Sequence, residues 1–232
     1  MADSDTAATE SLSKLNLMNK PTDNPPIAST PWPLPVEGGC ACRALRYRLD
    51  SAPKFNHCCN CHSCQRETGS AFCLNLLVEA DQVTLIPSIK LGTEGIVKPK
   101  YVLTSSESGA GQLIVRCPHC YVAVWSHYDG AGPYSAFIRG GTLDKQSIDG
   151  RSIEEVLKPD IFIFTESKQP WVVYPQYAHD HDLIKEVYYD RKKQWSKEAN
   201  ERLEAMKPKM LAWQLKGEGR WKAAFPDLED VR

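Results

Sequence analysis

The stretch His57-Cys58-Cys59-Asn60-Cys61-His62-Ser63-Cys64 concentrates the chemistry of this chain, with four of its nine cysteines inside seven residues. Thiols crowded into one loop hold a metal or do redox work. Cys59-x-Cys61-x-x-Cys64 fuses two short ligand spacings. Residues two apart on extended backbone share a face, so Cys59 and Cys61 point together. The Cys-x-x-Cys step then brings Cys64 back to them. Three thiolates with an open fourth position is the arrangement of a catalytic zinc. Cys58-x-x-Cys61-x-x-Cys64 is an equally good spacing, so Cys58 can replace Cys59, or join it and close the site. The Cys40/Cys42 spacing, repeated at Cys59/Cys61, favours Cys59. Cys73 sits in an apolar run and reads as packing.

Cys40-x-Cys42 and Cys117-x-x-Cys120 supply four more thiols from two short bites. Four thiolates fill a tetrahedral ion, so this set reads as a structural zinc that ties the start of the domain to its middle. Gly38 and Gly39 are read as letting the backbone turn closely around that metal. A thiol redox protein is a further reading, but a four-thiol set beside the trio favours metal. His119 sits inside the distal bite and is superfluous as a ligand. His179-Asp180-His181-Asp182 looks metal-like, although its aspartates read better as a helix start.

The elements that must position these residues are mostly strands. Residues 1–36 hold six of the 16 prolines and read as a flexible tail, with Trp32 and Leu34 anchoring its end. Residues 37–175 read as the zinc-binding domain. Strands are predicted at 44–49, 71–78, 81–86, 100–104, 112–116, 121–126, 134–138 and 161–164. Residues 65–70 read as a polar turn and 105–111 as a hairpin loop. Gln169-Pro170-Trp171 is expected to close the domain. Residues 176–232 read as a helical extension in which Trp195, Ala199, Leu203 and Met206 fall at helical spacing. Pro208 should end or kink that helix at Lys207. A formal net charge of -1 gives no general attraction for nucleic acid or anionic membrane, and no apolar run is long enough to span a bilayer. The acidic N-terminus lacks the features of a leader, so a cytoplasmic protein is expected.

The motifs Gly38-Gly39-Cys40-x-Cys42, Cys59-x-Cys61-x-x-Cys64 with Arg66 and Thr68-Gly69 after it, and Cys117-x-x-Cys120 resemble the glutathione-dependent formaldehyde-activating enzymes, a family that includes centromere protein V. Gly141-Thr142-Leu143-Asp144 and Pro170-Trp171 are similar to later landmarks of that family. The resemblance implies a mostly β, β-tent zinc-binding fold with two zincs per chain. It implies Cys40, Cys42, Cys117 and Cys120 for the structural ion and Cys59, Cys61 and Cys64 for the catalytic one. The implied activity is that of a carbon–sulfur lyase, an S-hydroxymethylglutathione synthase-like enzyme that joins a small-molecule thiol, glutathione, to formaldehyde or a related aldehyde, reversibly. The family has glycine after the distal bite, where this chain has Tyr121. His57 and His62 are the nearest candidates for proton transfer, and Arg66 and Arg139 for pairing with an acidic thiol substrate. The alternative is a non-catalytic zinc-stabilised binding module similar to centromere protein V. The extension is expected to pack on the domain or to form a homodimer contact.

Overall fold

The structure is a computed structural model that describes residues 31–106, 111–217 and 219–232. Most of the proline-rich tail therefore lies outside the described residues, as does the middle of the hairpin loop expected at 105–111. The strands are β1 (Val36–Gly39), β2 (Arg46–Leu49), β3 (Phe55–Cys59), β4 (Cys73–Glu79), β5 (Val83–Ile86), β6 (Lys100–Thr104), β7 (Gln112–Arg116), β8 (Ala123–Tyr128), β9 (Ser135–Arg139), β10 (Ile161–Ile163) and β11 (Glu229–Asp230). The helices are α1 (His62–Thr68), α2 (Gln176–Asp180), α3 (Arg191–Gln194), α4 (Lys197–Gln214) and α5 (Arg220–Ala224).

Among the described residues the strands form two sheets. A three-stranded sheet runs β1-β2-β5, and an eight-stranded sheet runs β10-β3-β4-β9-β8-β7-β6-β11. Pairing is antiparallel except where β10 joins β3 and β11 joins β6. The apolar alternation of the sequence explains the layering. Leu45, Tyr47 and Leu49 leave the small sheet and meet Leu76, Val78, Val124 and Ile138 of the large one in a single core. Trp32 and Leu34 pack on its edge. Tyr47 meets Trp125 edge-on with centroids 5.6 Å apart, and its hydroxyl bonds the Thr142 hydroxyl at 2.7 Å.

Glycine is needed in β1 for this approach, not for a turn around a metal. A Cβ on Gly38 would lie 2.6 Å from the Tyr47 ring, and one on Gly39 would lie 2.5 Å from the Leu45 carbonyl oxygen. Arg46 is buried. It donates to Asp144 Oδ1 at 3.0 Å and to Glu37 at 3.1 Å, which holds the small sheet to the 140–144 turn.

Several sequence expectations are revised. The 65–70 turn is mostly helix α1, stopped by Gly69 in the left-handed region at φ 63°. The cysteine loop begins as the fully buried strand β3. His179 and Asp180 end α2 rather than starting a helix. Helix α4 continues through Pro208 to Gln214. Proline there forfeits one helical bond, but the turns beyond it are held from outside. The Trp213 indole donates to the Asp129 carbonyl at 3.1 Å, packs on Trp221 and lies over Gly132, where a Cβ would come within 2.6 Å. Ala199, Leu203 and Met206 are buried, as their spacing requires.

Candidate metal centres and active site

Two cysteine clusters among the described residues can each hold a metal ion. The sulfurs of Cys40, Cys42, Cys117 and Cys120 all lie within 4.8 Å of one another, as do those of Cys59, Cys61 and Cys64.

The four-sulfur cluster is built from two hairpin turns, one between β1 and β2 and one between β7 and β8. Cys40 and Cys42 do not alternate along a strand. They lie in a turn closed by the Arg43 N–H donating to the Cys40 carbonyl at 3.0 Å. The residue after the second cysteine of each bite is left-handed, Arg43 at φ 63° and Tyr121 at φ 59°. Tyr121 thus adopts the conformation that glycine would take at lower cost, and its ring stays exposed. Backbone N–H groups point at the sulfurs: Leu45 donates to Cys40 Sγ at 3.3 Å and His119 to Cys117 Sγ at 3.4 Å. The His119 side chain is exposed.

The trio is assembled by the junction of β3 and α1. Cys59 ends the strand. Cys61 is the N-cap of the helix, its sulfur accepting from the Cys64 N–H at 3.4 Å, and Cys64 follows in the first turn. Cys58 faces the other way and packs against Phe162, Val172 and Tyr174. Burial pushes its thiol up to about 12. Hydrogen bonds from Cys59, Cys61 and Cys73 push the Cys64 thiol well below its usual range.

Cys73, read from the sequence as packing, belongs to this cluster. It lies directly opposite Cys59 in the β3–β4 ladder and buries its sulfur with the trio. Arg139, from β9, donates to Cys73 Sγ at 3.2 Å and also bonds Asn75 Oδ1. It is 5% exposed, and its Nε and Nη2 have no hydrogen-bond partner. Burial alone would depress this guanidinium. Cys73, Tyr128 and Cys64 outweigh that and hold its pKa above the usual value.

A cavity of about 200 Å³ opens onto Cys59 and Cys61. Phe137, Ile163, Phe164 and Tyr188 form apolar walls, and Asn75, Gln112 and Tyr128 supply polar atoms. Gln112 Nε2 is buried and unpartnered. His57 also lines it, with Nε2 hydrogen-bonded to the Tyr189 hydroxyl at 2.5 Å. Burial lowers His57 to about 4, so the imidazole is neutral at pH 7. The cavity adjoins an outer groove of about 490 Å³ through Ser63, Ser106 and Gln112. His62 and the exposed Arg66 line that groove. His62 and His57, neighbours in sequence terms, therefore serve different compartments. Cys73, Asn75, Gln112, Tyr128 and Tyr189 were not legible as site residues, because strand register and the return of residues 188–189 bring them there.

No helix among the described residues is long and apolar enough to cross a membrane. No curated protein sequence matches the chain. A solved structure of a Rhodobacter sphaeroides protein, a structural-genomics target, shares 11% identity over 49% of this chain and 92% of its own, with a TM-score of 0.31. The family model described as glutathione-dependent formaldehyde-activating enzyme matches residues 35–167, which include both cysteine clusters and more than half of the sequence. The chain belongs to the glutathione-dependent formaldehyde-activating enzyme family, and that membership implies an enzyme acting on formaldehyde with glutathione.

Proposed function

We propose that the chain is a zinc-dependent carbon–sulfur lyase that adds glutathione to an aldehyde and reverses that addition, working at the Cys59–Cys61–Cys64 trio. The observation that carries this reading is the buried trio opening onto a cavity at Cys59 and Cys61. The donor sets fit zinc. Four sulfurs about 2.3 Å from a tetrahedral zinc stand roughly 3.8 Å apart. Here Cys40 and Cys42 are 3.5 Å apart, and Cys42 and Cys117 are 3.8 Å apart. That set would hold a structural ion, and the trio a second one with a free position. Bound at the trio, zinc would supply a place where a thiol is stabilised as thiolate.

The chain's own residues do the rest. Arg66 and His62 in the outer groove are placed to meet the carboxylates of glutathione. The cavity holds the carbonyl group beside the sulfur, so the two reactants meet without a search in solution. As the sulfur–carbon bond forms, the carbonyl π pair moves to oxygen. The buried Gln112 Nε2 has a hydrogen bond to give to that oxygen. Tyr128 is a group in the cavity able to give it a proton, and neutral His57 can relay one only after accepting it from the thiol. In the domain arrangement we propose, residues 37–175 carry both sites and residues 176–232 buttress them.

Metal counting on the wild type and on Cys61→Ala, with a glutathione-plus-formaldehyde assay, tests this. The variant should keep its fold and one tightly held zinc per chain, and lose at least about 100-fold in activity. Cys61→Ser, which restores an oxygen to the helix cap, controls for a cap loss of about 1 kcal/mol. Unfolding of both variants would make the trio structural. Full metal loading of the wild type with no turnover would favour a zinc-stabilised binding module instead.

A further inference from the structure

Resting on the reading above, we infer that the cavity selects an aldehyde carrying an apolar group about the size of a benzene ring, and that Tyr188 forms the wall that recognises it. Formaldehyde has two heavy atoms and nothing apolar to bury. The cavity holds about 200 Å³. A protein cavity of about 150 Å³ lined by apolar side chains already accommodates benzene. Three of the walls are carbon-rich and come from different elements: Phe137 from β9, Ile163 from β10 and Phe164 just after it. The fourth, Tyr188, comes from beyond the stretch matched by the family. Its ring stands edge-on to Phe164, with centroids 5.9 Å apart at 70°.

Tyr188 is 75% exposed, so most of its ring remains available to a bound group. A ring bound in the cavity would be shielded by it. Asn75, one of the few polar groups of the cavity, lies on the side of the sulfurs, where the reacting carbonyl belongs. The reaction is unchanged by the larger substrate. A sulfur–carbon bond forms, the carbonyl π pair goes to oxygen, and the thiol proton ends on that oxygen, with nothing oxidised or reduced.

Calorimetry on the metal-loaded full chain with S-benzylglutathione and S-methylglutathione reads the preference without turnover. The benzyl compound is expected to bind at least about ten-fold tighter, since each buried methylene-sized increment contributes several-fold. Tyr188→Ala should narrow that ratio several-fold. In turnover with glutathione, phenylacetaldehyde should show a higher kcat/KM than formaldehyde. Equal binding of the two thioethers, or tighter binding of the methyl compound, with formaldehyde turnover intact, would overturn this inference and leave the lyase reading standing. Binding of neither thioether, together with no turnover of either aldehyde, would overturn both.

Discussion

Arg139 is a buried cation with no carboxylate beside it among the described residues, an arrangement that costs several kcal/mol unless something negative is near. The sulfurs are what is near. Three thiolates around a divalent ion carry one net negative charge, and Arg139, through Cys73 and Asn75, sits against Cys64. Sequence reasoning offered Arg139 as a partner for an acidic substrate. Its guanidinium is 5% exposed and bonds Cys73 and Asn75, while Arg66 lines the outer groove. Arg139→Met is expected to weaken metal binding at the trio by roughly 10- to 100-fold, the usual effect of losing a group that supports metal ligands. The four-cysteine site should keep its affinity. Chelator competition that follows the two ions separately measures this, and equal weakening of both sites would refute it. At this scale the cysteine spacing was legible, since short-range geometry fixes it. Cys73 was not, because nothing local says that it will stand opposite Cys59.

At the scale of elements, the alternating strands announced themselves, and most lie within a few residues of where periodicity puts them. Helix α1 did not, because seven residues of mostly polar character show no apolar stripe. The one usable signal was Gly69, which ends it. Helix α4 shows tertiary contacts overriding local preference at Pro208. The same helix is pinned at its other end by charge. Lys54 is fully buried and pairs with Glu79 at 3.0 Å, and Arg202 of α4 grips the same carboxylate with Nε at 3.0 Å. Glu79→Ala would leave Lys54 uncompensated in the interior. A loss of about 3 to 5 kcal/mol is expected, the range for breaking one side of a buried pair. Denaturant unfolding measures it. Lys54→Met in the same background should recover much of that loss, because the stranded charge is then gone.

For the molecule as a whole, the four-cysteine cluster matters for a reason that the order of the motifs only hinted at. Cys40 and Cys42 lie in the turn joining β1 and β2 of the small sheet, and Cys117 and Cys120 in the turn joining β7 and β8 of the large one, so an ion held there would clamp the two sheets together. Stripping metal with a strong chelator should therefore lower Tm by more than Cys61→Ala does. Amide exchange should accelerate first in β1 and β2 and later in β3 and β4. Uniform acceleration across both sheets would contradict a clamp. The course of the C-terminal segment was the least legible part. Its helical stripe was visible, but its return to place Tyr188 and Tyr189 at the cavity depends on contacts more than a hundred residues apart in sequence.

The short strand β11 has a role out of proportion to its two residues. By lying along β6 it occupies the outermost amides of the eight-stranded sheet, and the Val231 N–H adds a bond of 2.9 Å to the Leu103 carbonyl. Without residues 229–232, β6 would present a bare, sticky rim on which another copy could dock and begin an aggregate. This short strand thus acts as a hem that keeps the fabric from being stitched to its neighbour.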